Sequence, residues 1–490
     1  MNITAKKGDI LTQDVDIRIV GIYEGENWEN DFILRLGEET GGKLKVNAKK
    51  KEFEGKAGQM LNFSDLLIVG LGKQTNLSAS LREVSGSIYG FLQGLPVTSV
   101  AIELFGEDDV KFDAKITGQK IAEALLLASY QFDTYKKPKQ KNILEEIYLI
   151  AEDGRDANKA QKGIEKAEML IDGVTVARDL VNTPAQDMKP TRLAQTAEKI
   201  AKMSPNIKVR VYNREQIEKK KMNAYLAVAQ GADSEPRLIH LTYKPEKAKK
   251  IVAVVGKGVT FDSGGLSIKP AQYMETMKCD MAGSAAVLGL FAALARTNPN
   301  IEVHGIIAAT ENMPSGKAIR PGDIVRAAND KTIEILNTDA EGRLTLADAL
   351  VYAQKQKPDY VVDLATLTGA CVVALGEEIS AVMGNDSDLS KSLMAAAEKS
   401  DEQMWEMPLY GKYAKLIESD IADLRNISSS RYGGTLTAGL FLKEFINEDQ
   451  KWAHIDIAGP AFAEKPMASY LGKGGTGFGV RTLLGWIETL

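Results

Sequence analysis

Ile251-Val252-Ala253-Val254-Val255-Gly256-Lys257-Gly258-Val259-Thr260-Phe261-Asp262-Ser263-Gly264-Gly265 is the stretch on which the architecture turns. An unbroken apolar run at 251–255, mostly β-branched, predicts a strand buried on both faces, the habit of strands inside a layered α/β sheet. It delivers Lys257 and Asp262 into a glycine-rich loop. Loops beyond the carboxyl ends of strands are where open α/β sheets place their sites.

Similar runs recur on either side. Strands are expected at 238–243, 303–309, 360–364 and 454–457, with helices at 282–295, 344–354, 389–399 and 437–445. This reads as a large mixed or parallel sheet wrapped by helices. The first third also alternates, with strands expected at 17–22, 66–70, 100–104 and 143–150 and a helix at 121–129. A long helix at about 157–180 stops near Asn182-Thr183-Pro184 and serves as a connector. The expected division is 1–153, a linker helix 154–181, and 182–490.

At 490 residues the chain is too long for one ordinary core. Its 44 % hydrophobic and 26 % charged content is that of a soluble globular protein. A net charge of -5 is no signature of bulk nucleic-acid attraction. Two cysteines, Cys279 and Cys371, are too few for a disulfide framework or a four-cysteine zinc site, and suit a reducing cytosol. The N-terminus has no secretory pattern, and the apolar run 285–295 is too short to span a bilayer. The expected location is cytoplasmic, with no membrane.

Several chemistries are excluded. The three histidines, His240, His304 and His454, each sit in an apolar strand-like run and are expected to be hydrogen-bonded core residues. There is no His-Glu-x-x-His pair and no Gly-x-Ser-x-Gly elbow. Gly256-Lys257-Gly258 lacks the third glycine of a dinucleotide fingerprint, with Phe261 in its place, and Gly316-Lys317 is followed by Ala318 rather than Ser or Thr.

What remains is a constellation of acids and lysines framed by glycines. Beside Lys257 and Asp262 stand Lys269, then Met277-Lys278-Cys279-Asp280-Met281-Ala282-Gly283, then Asn337-Thr338-Asp339-Ala340-Glu341-Gly342-Arg343-Leu344. If the last piece is extended, Asp339, Glu341 and Arg343 project to one side. Converging carboxylates repel unless a cation lies between them. An oxygen-rich set suits magnesium, manganese or zinc, and several carboxylates can bridge two ions about 3.5–4 Å apart. Each residue also has a bland reading. Asp280 can cap a helix starting at Met281, Asp339 and Glu341 can be first-turn acids, and the lysines can be solvated. Singly these are as good; together the metal reading is stronger.

The octapeptide 337–344 resembles the signature of the leucyl aminopeptidase (cytosol aminopeptidase) family. The blocks around Lys257, Asp262, Lys269 and Asp280 follow that family's order and spacing. So do Glu311-Asn312-Met313-Pro314, Arg320-Pro321-Gly322-Asp323, 365–370 and Trp452-x-His454-x-Asp456-Ile457-Ala458-Gly459. The resemblance runs from about Arg178 to the C-terminus; the N-terminal third is similar only in size and α/β character. It implies a smaller N-terminal α/β domain joined by a helix to a larger catalytic α/β domain with a mixed central sheet, assembled as a homohexamer.

For the site, the resemblance implies two divalent ions, manganese or zinc, held by Lys257, Asp262, Asp280, Asp339 and Glu341, with Lys257 neutral through a lowered pKa. Lys269 would polarise the scissile carbonyl, Arg343 would hold a bicarbonate as general base, and the nucleophile would be a water between the ions. Met277, Thr366, Leu367 and Gly369, with Lys269, would contact the peptide substrate, favouring leucine-like N-terminal residues. Departures from the family pattern fall at Gln186, Lys189-Pro190 and Gly439, and bear on local packing.

Two alternatives stand beside this reading, and a third, a catalytically dead scaffold, is opposed by the retention of every proposed ligand. One is a dipeptidase acting on short peptides such as Cys-Gly. The other is an additional DNA-binding role through the basic stretches 49–51 and 136–141, which more simply read as solvated faces.

Overall fold

The computed structural model describes residues 1–107, 112–137 and 144–490. Pro138 to Lys141 of the second basic stretch, and Ile143 at the start of one expected strand, lie outside them. The chain divides into two compact units, Met1–Ile171 with Pro466–Gly472, and Asp172–Lys465 with Lys473–Leu490. The division falls within one long helix, Gly154–Asn182.

The first unit is built on a six-stranded sheet, ordered Asn2–Lys7, Glu146–Ala151, Ser99–Glu103, Ile17–Tyr23, Leu66–Gly72 and Met60–Phe63. The first five are parallel and Met60–Phe63 is antiparallel. Strand periodicity explains its two cores. Ile17, Ile19, Leu67, Val69 and Leu71 pack on one face, and Val20, Ile22, Leu66 and Ile68 on the other. Lys49, Lys50 and Lys51 are exposed at the end of the helix Leu44–Lys50.

The second unit holds an eight-stranded mixed sheet: Met404–Glu406, Ser380–Gly384, Lys451–Asp456, Tyr360–Ala365, Ile251–Asp262, Glu302–Asn312, Arg237–Tyr243 and Ile207–Tyr212. The four strands Lys451–Asp456, Tyr360–Ala365, Ile251–Asp262 and Glu302–Asn312 run parallel, so their carboxyl ends share one edge. The strand expected at 251–255 continues to Asp262. Lys257 and Asp262 are therefore sheet residues, paired in register with Ala308 and Asn312, rather than loop residues. Glu302–Asn312 is buried along its whole length, which is why apolar content alone under-reads it: its last residues, Thr310, Glu311 and Asn312, are polar but satisfied inside.

The helix Ala282–Thr297 is buried almost throughout. The helical stretch 271–297 is apolar enough by composition to cross a membrane, longer than the run read from sequence, but 89 % of its apolar window is buried, as in a core helix. Helices Gly342–Gln354, Ser387–Lys399 and Gly434–Lys443 lie within a few residues of their expected bounds. Gly439 is explained by packing, since a Cβ there would meet Met383 Sδ at 2.9 Å and Leu409 Cδ2 at 3.0 Å. Pro190 opens the helix Pro190–Ala201, and Lys189 pairs with Glu311 at 2.6 Å.

All three histidines are hydrogen-bonded core residues. His240 contacts Tyr352 Oη at 3.0 Å and His304 at 2.9 Å, and His454 pairs with Asp363 at 2.6 Å.

Candidate active site on the carboxyl edge of the sheet

Four segments deliver the acids and lysines to one place. Lys257 and Asp262 come from the central strand. Asp280 follows the single turn Met277–Cys279 and precedes the helix Ala282–Thr297. Asp339 lies in a turn, and Glu341 immediately precedes the helix Gly342–Gln354. Lys269 is brought back by a loop whose main-chain N–H bonds Ser263 O.

Two glycines make the approach possible. A Cβ at Gly283 would lie 2.1 Å from Leu364 O and 2.9 Å from Lys257 N, so the helix start can touch the strands only without a side chain. A Cβ at Gly342 would lie 2.5 Å from Lys257 Cε and 2.7 Å from its Nζ. Any larger residue there displaces the ammonium.

The ammonium of Lys257, 3 % exposed, lies 2.7 Å from Asp280 Oδ1 and 2.9 Å from Glu341 Oε1, and donates to Thr366 O at 2.8 Å. Lys269 Nζ lies 2.9 Å from Asp262 Oδ2 and 2.5 Å from Asp339 Oδ1. Thr366 Oγ1 donates to Asp280 Oδ1 at 2.8 Å. Asp262 Oδ1 accepts from Asn312 Nδ2 at 2.8 Å and from Gly264 N at 2.9 Å.

Burial holds the carboxyl of Asp280 well above the ordinary range, and neighbouring Glu341 and Asp262 add to the effect against the pull of Lys257. Burial likewise raises Asp262, with Glu341, and Asp339, with Asp262. Burial alone would lower Lys257, but Asp280, Glu341 and Asp262 outweigh it and raise it above the usual lysine value. Lys269 behaves the same way under Asp262, Glu341 and Asp339. The expected fall in the pKa of Lys257 is thus not produced by the chain's own groups. To become a ligand, Lys257 must exchange its proton for a cation.

The donor set fits a cation. Asp262, Asp280 and Glu341, all buried, each offer an oxygen, and these lie within 4.8 Å of one another. Asp280 Oδ2 and Glu341 Oε2 are buried with no hydrogen-bond partner. Two unsatisfied carboxylate oxygens in one buried cluster are costly unless something positive meets them.

The structure corrects the geometry expected for 339–343. The piece is a turn running into a helix, with helical dihedrals at Glu341, not an extended strand. Asp339 meets Lys269 and Glu341 meets Lys257, while Arg343 is turned aside and donates from Nη1 to Asn426 O at 2.7 Å. Complete burial pulls Arg343 down to about 10, which leaves it charged at neutral pH. Asp280 does not cap the following helix, whose N-cap is Met281 without a side-chain bond. Of the pocket candidates, Thr366 touches both Asp280 and Lys257. Met277 and Leu367 are half-buried, and a Cβ at Gly369 meets nothing within 4 Å.

Sequence reasoning passed over Asn312, Asn426 and Asp456 as site residues. Asp456, fully buried, gathers Leu367 N at 3.1 Å and Thr368 Oγ1 at 2.7 Å, anchoring the loop that carries Thr366. Only the glycine-framed acids stood out by composition. A lone asparagine carries no such signal.

Comparison with known proteins follows the same division. Residues 175–484 match the model of the cytosol aminopeptidase family, catalytic domain, and residues 19–139 match that family's N-terminal domain. The second match corrects the reading of the N-terminal third as similar only in size and character. A probable cytosol aminopeptidase of Persephonella marina is 40 % identical over 99 % of this chain and 98 % of that protein. A solved lysine-to-glutamate mutant of tomato leucine aminopeptidase superposes with a TM-score of 0.91 at 36 % identity, covering 100 % of this chain and 97 % of that one. BotP, a bottromycin maturation enzyme solved in complex with Mn, superposes at 0.85 with 32 % identity, covering 97 % and 99 %.

Fold and matches together define a peptidase, a hydrolase built as two α/β units. The chain belongs to the cytosol aminopeptidase family.

Proposed function

We propose that this chain is a two-metal aminopeptidase that removes leucine and other apolar residues from the N-termini of peptides, acting in the cytoplasm as a homohexamer. The observation that carries the metal reading is the buried triad Asp262, Asp280 and Glu341 with its orphaned oxygens. Asp339 and Lys257 complete a five-residue set for two divalent ions, manganese or zinc. When bound, such ions supply an activated water at neutral pH and positive charge for a developing oxyanion.

The chain's own residues account for the remaining chemistry. Lys269 keeps its proton between Asp262 and Asp339, and so can present an ammonium to a scissile carbonyl. Arg343, buried and charged, with Nε free of any partner, offers a donor to a small anion such as bicarbonate. Thr366 and Asn312 orient Asp280 and Asp262. The open space at Gly369 and the half-buried apolar side chains of Met277 and Leu367 are compatible with an apolar first residue. Assembly is what membership of the family implies, and Val373, Tyr432 and Trp405, exposed at 90 %, 69 % and 65 %, are side chains that an interface could cover.

The test is hydrolysis of leucine p-nitroanilide before and after chelation, with manganese or zinc added back, beside Asp339→Ala. We expect activity that chelation abolishes and metal restores in the parent, and at least a 100-fold loss in Asp339→Ala. A folded, assembled protein inactive with every metal overturns the reading. A series of peptide lengths separates it from a dipeptidase.

A further inference from the structure

We infer that Asn426 is a positioning residue of this centre, a buried amide that sets the turn bearing the metal-binding acids Asp339 and Glu341 in register with the guanidinium of Arg343. The inference rests on the two-metal reading above and deepens it.

Asn426 follows the short strand Leu424–Arg425, which pairs in parallel with Thr332–Glu334. That pairing ends where the chain must leave the sheet to form the turn bearing Asp339. From there the asparagine continues the ladder with its side chain. Its main-chain N–H donates to Glu334 O at 2.9 Å. Its Oδ1 accepts from Leu336 N at 2.9 Å and Asn337 N at 3.3 Å, and its Nδ2 donates to Asn337 O at 2.6 Å and Ala340 O at 3.4 Å. Its own carbonyl accepts from Arg343 Nη1 at 2.7 Å.

The residue is fully buried. Only an amide offers an acceptor and a two-proton donor on one short planar group, so it can satisfy irregular backbone from both sides. Asp339 lies between two of the residues it holds, and Glu341 follows the second. A shift of this turn therefore moves two ligands together. Arg343 bonds the main-chain carbonyl of the same residue, so the amide fixes the acids against the backbone on which the guanidinium rests. Outer partners that orient metal ligands typically govern affinity by about 10–100-fold.

The experiment compares the full-length parent with Asn426→Ala and Asn426→Ser, using manganese alone as probe. Manganese affinity is read by calorimetry and by the paramagnetic resonance signal, folding by the cooperative melt of the chelated proteins. We expect both variants to fold and bind manganese about 10–100-fold more weakly, serine losing less than alanine because its hydroxyl can restore one bond. At saturating manganese, we expect kcat on leucine p-nitroanilide to stay low with KM little changed, because the turn bearing the acids stays displaced from Arg343, which keeps its bond to the main-chain carbonyl at 426. Parent-like affinity and kcat in folded Asn426→Ala overturn the inference, as does equal loss in serine and alanine that tracks only a lowered melt. If Asn426→Ala does not fold, parent-like behaviour of Asn426→Ser overturns it. Failure of the parent itself to bind manganese overturns the two-metal reading, and this inference with it.

Discussion

Replacing Lys257 by methionine tests the electrostatic account of the centre most directly. Methionine keeps most of the volume and removes the ammonium. In the chain without metal, that ammonium lies 2.7 Å from Asp280 and 2.9 Å from Glu341, with all three groups at most 5 % exposed. Removing one partner of a buried ion pair leaves an uncompensated charge and costs about 3–5 kcal/mol. Unfolding entropy is about 2.1 cal/mol/K per residue, so for a unit of about 300 residues this loss lowers the melt by roughly 5–8 °C. Asp280, already raised by burial and by like charges, takes up a proton more readily once the ammonium is gone. The loss therefore shrinks as the pH falls.

Manganese held by the remaining acids should reverse part of the loss, because a cation replaces the missing charge, but with weaker affinity than in the parent, since Lys257 is one of the five proposed ligands. At 100 times its dissociation constant it adds about 2.7 kcal/mol. The assay is thermal and urea unfolding of chelated parent and variant, with and without manganese. Tryptophan fluorescence serves, since Trp405, Trp452 and Trp486 lie in the second unit and Trp28 in the first. A chelated Lys257→Met protein that melts within about 1 °C of the parent refutes the reasoning.

Other perturbations probe the scaffold. Burial, then His304, pulls His240 down to about 4. Its folded pKa lies below the ordinary 6.5, so the unfolded chain binds the extra proton, and stability is retained above pH 6.5 and lost as the pH falls toward 4. The full difference is about 3 kcal/mol. His240→Gln should flatten that part of the profile in urea unfolding at pH 7 and 4.5, and an unchanged profile counts against it. Gly283→Ala forces a Cβ into Leu364 O. It should destabilise by at least about 1–3 kcal/mol and weaken manganese binding, because Asp280 moves with the helix start. A melt and an affinity equal to the parent's show that the strand and helix can part without cost.

Much of the second unit was legible because its signals are local. An unbroken apolar run such as 251–255 declares a buried strand whatever it pairs with, and 360–364 was placed to within one residue. The run stops short where polar residues are satisfied inside, so Ile251–Asp262 and Glu302–Asn312 extend further than apolar content shows, and the shorter outer strands Ile207–Tyr212, Ser380–Gly384 and Met404–Glu406 were not read from the sequence. Period-two reasoning misjudged Asp339 to Arg343 because glycine at 342 starts a helix at once. The convergence came from a turn instead.

By itself the sequence determined which side chains were available for chemistry: acids and lysines framed by glycines, core histidines, and no nucleophile elbow. Local composition and spacing carry that information. Which lysine meets which acid was decided only by the tertiary structure. The order of four parallel strands, the backbone contact at Gly283 and the amide of Asn426 gather residues up to about 170 positions apart, and pairwise distances across such gaps depend on how layers pack rather than on any neighbouring residue. The same packing removes water from the site, which raises Asp280, and gathers the acids that raise Lys257 against its own burial.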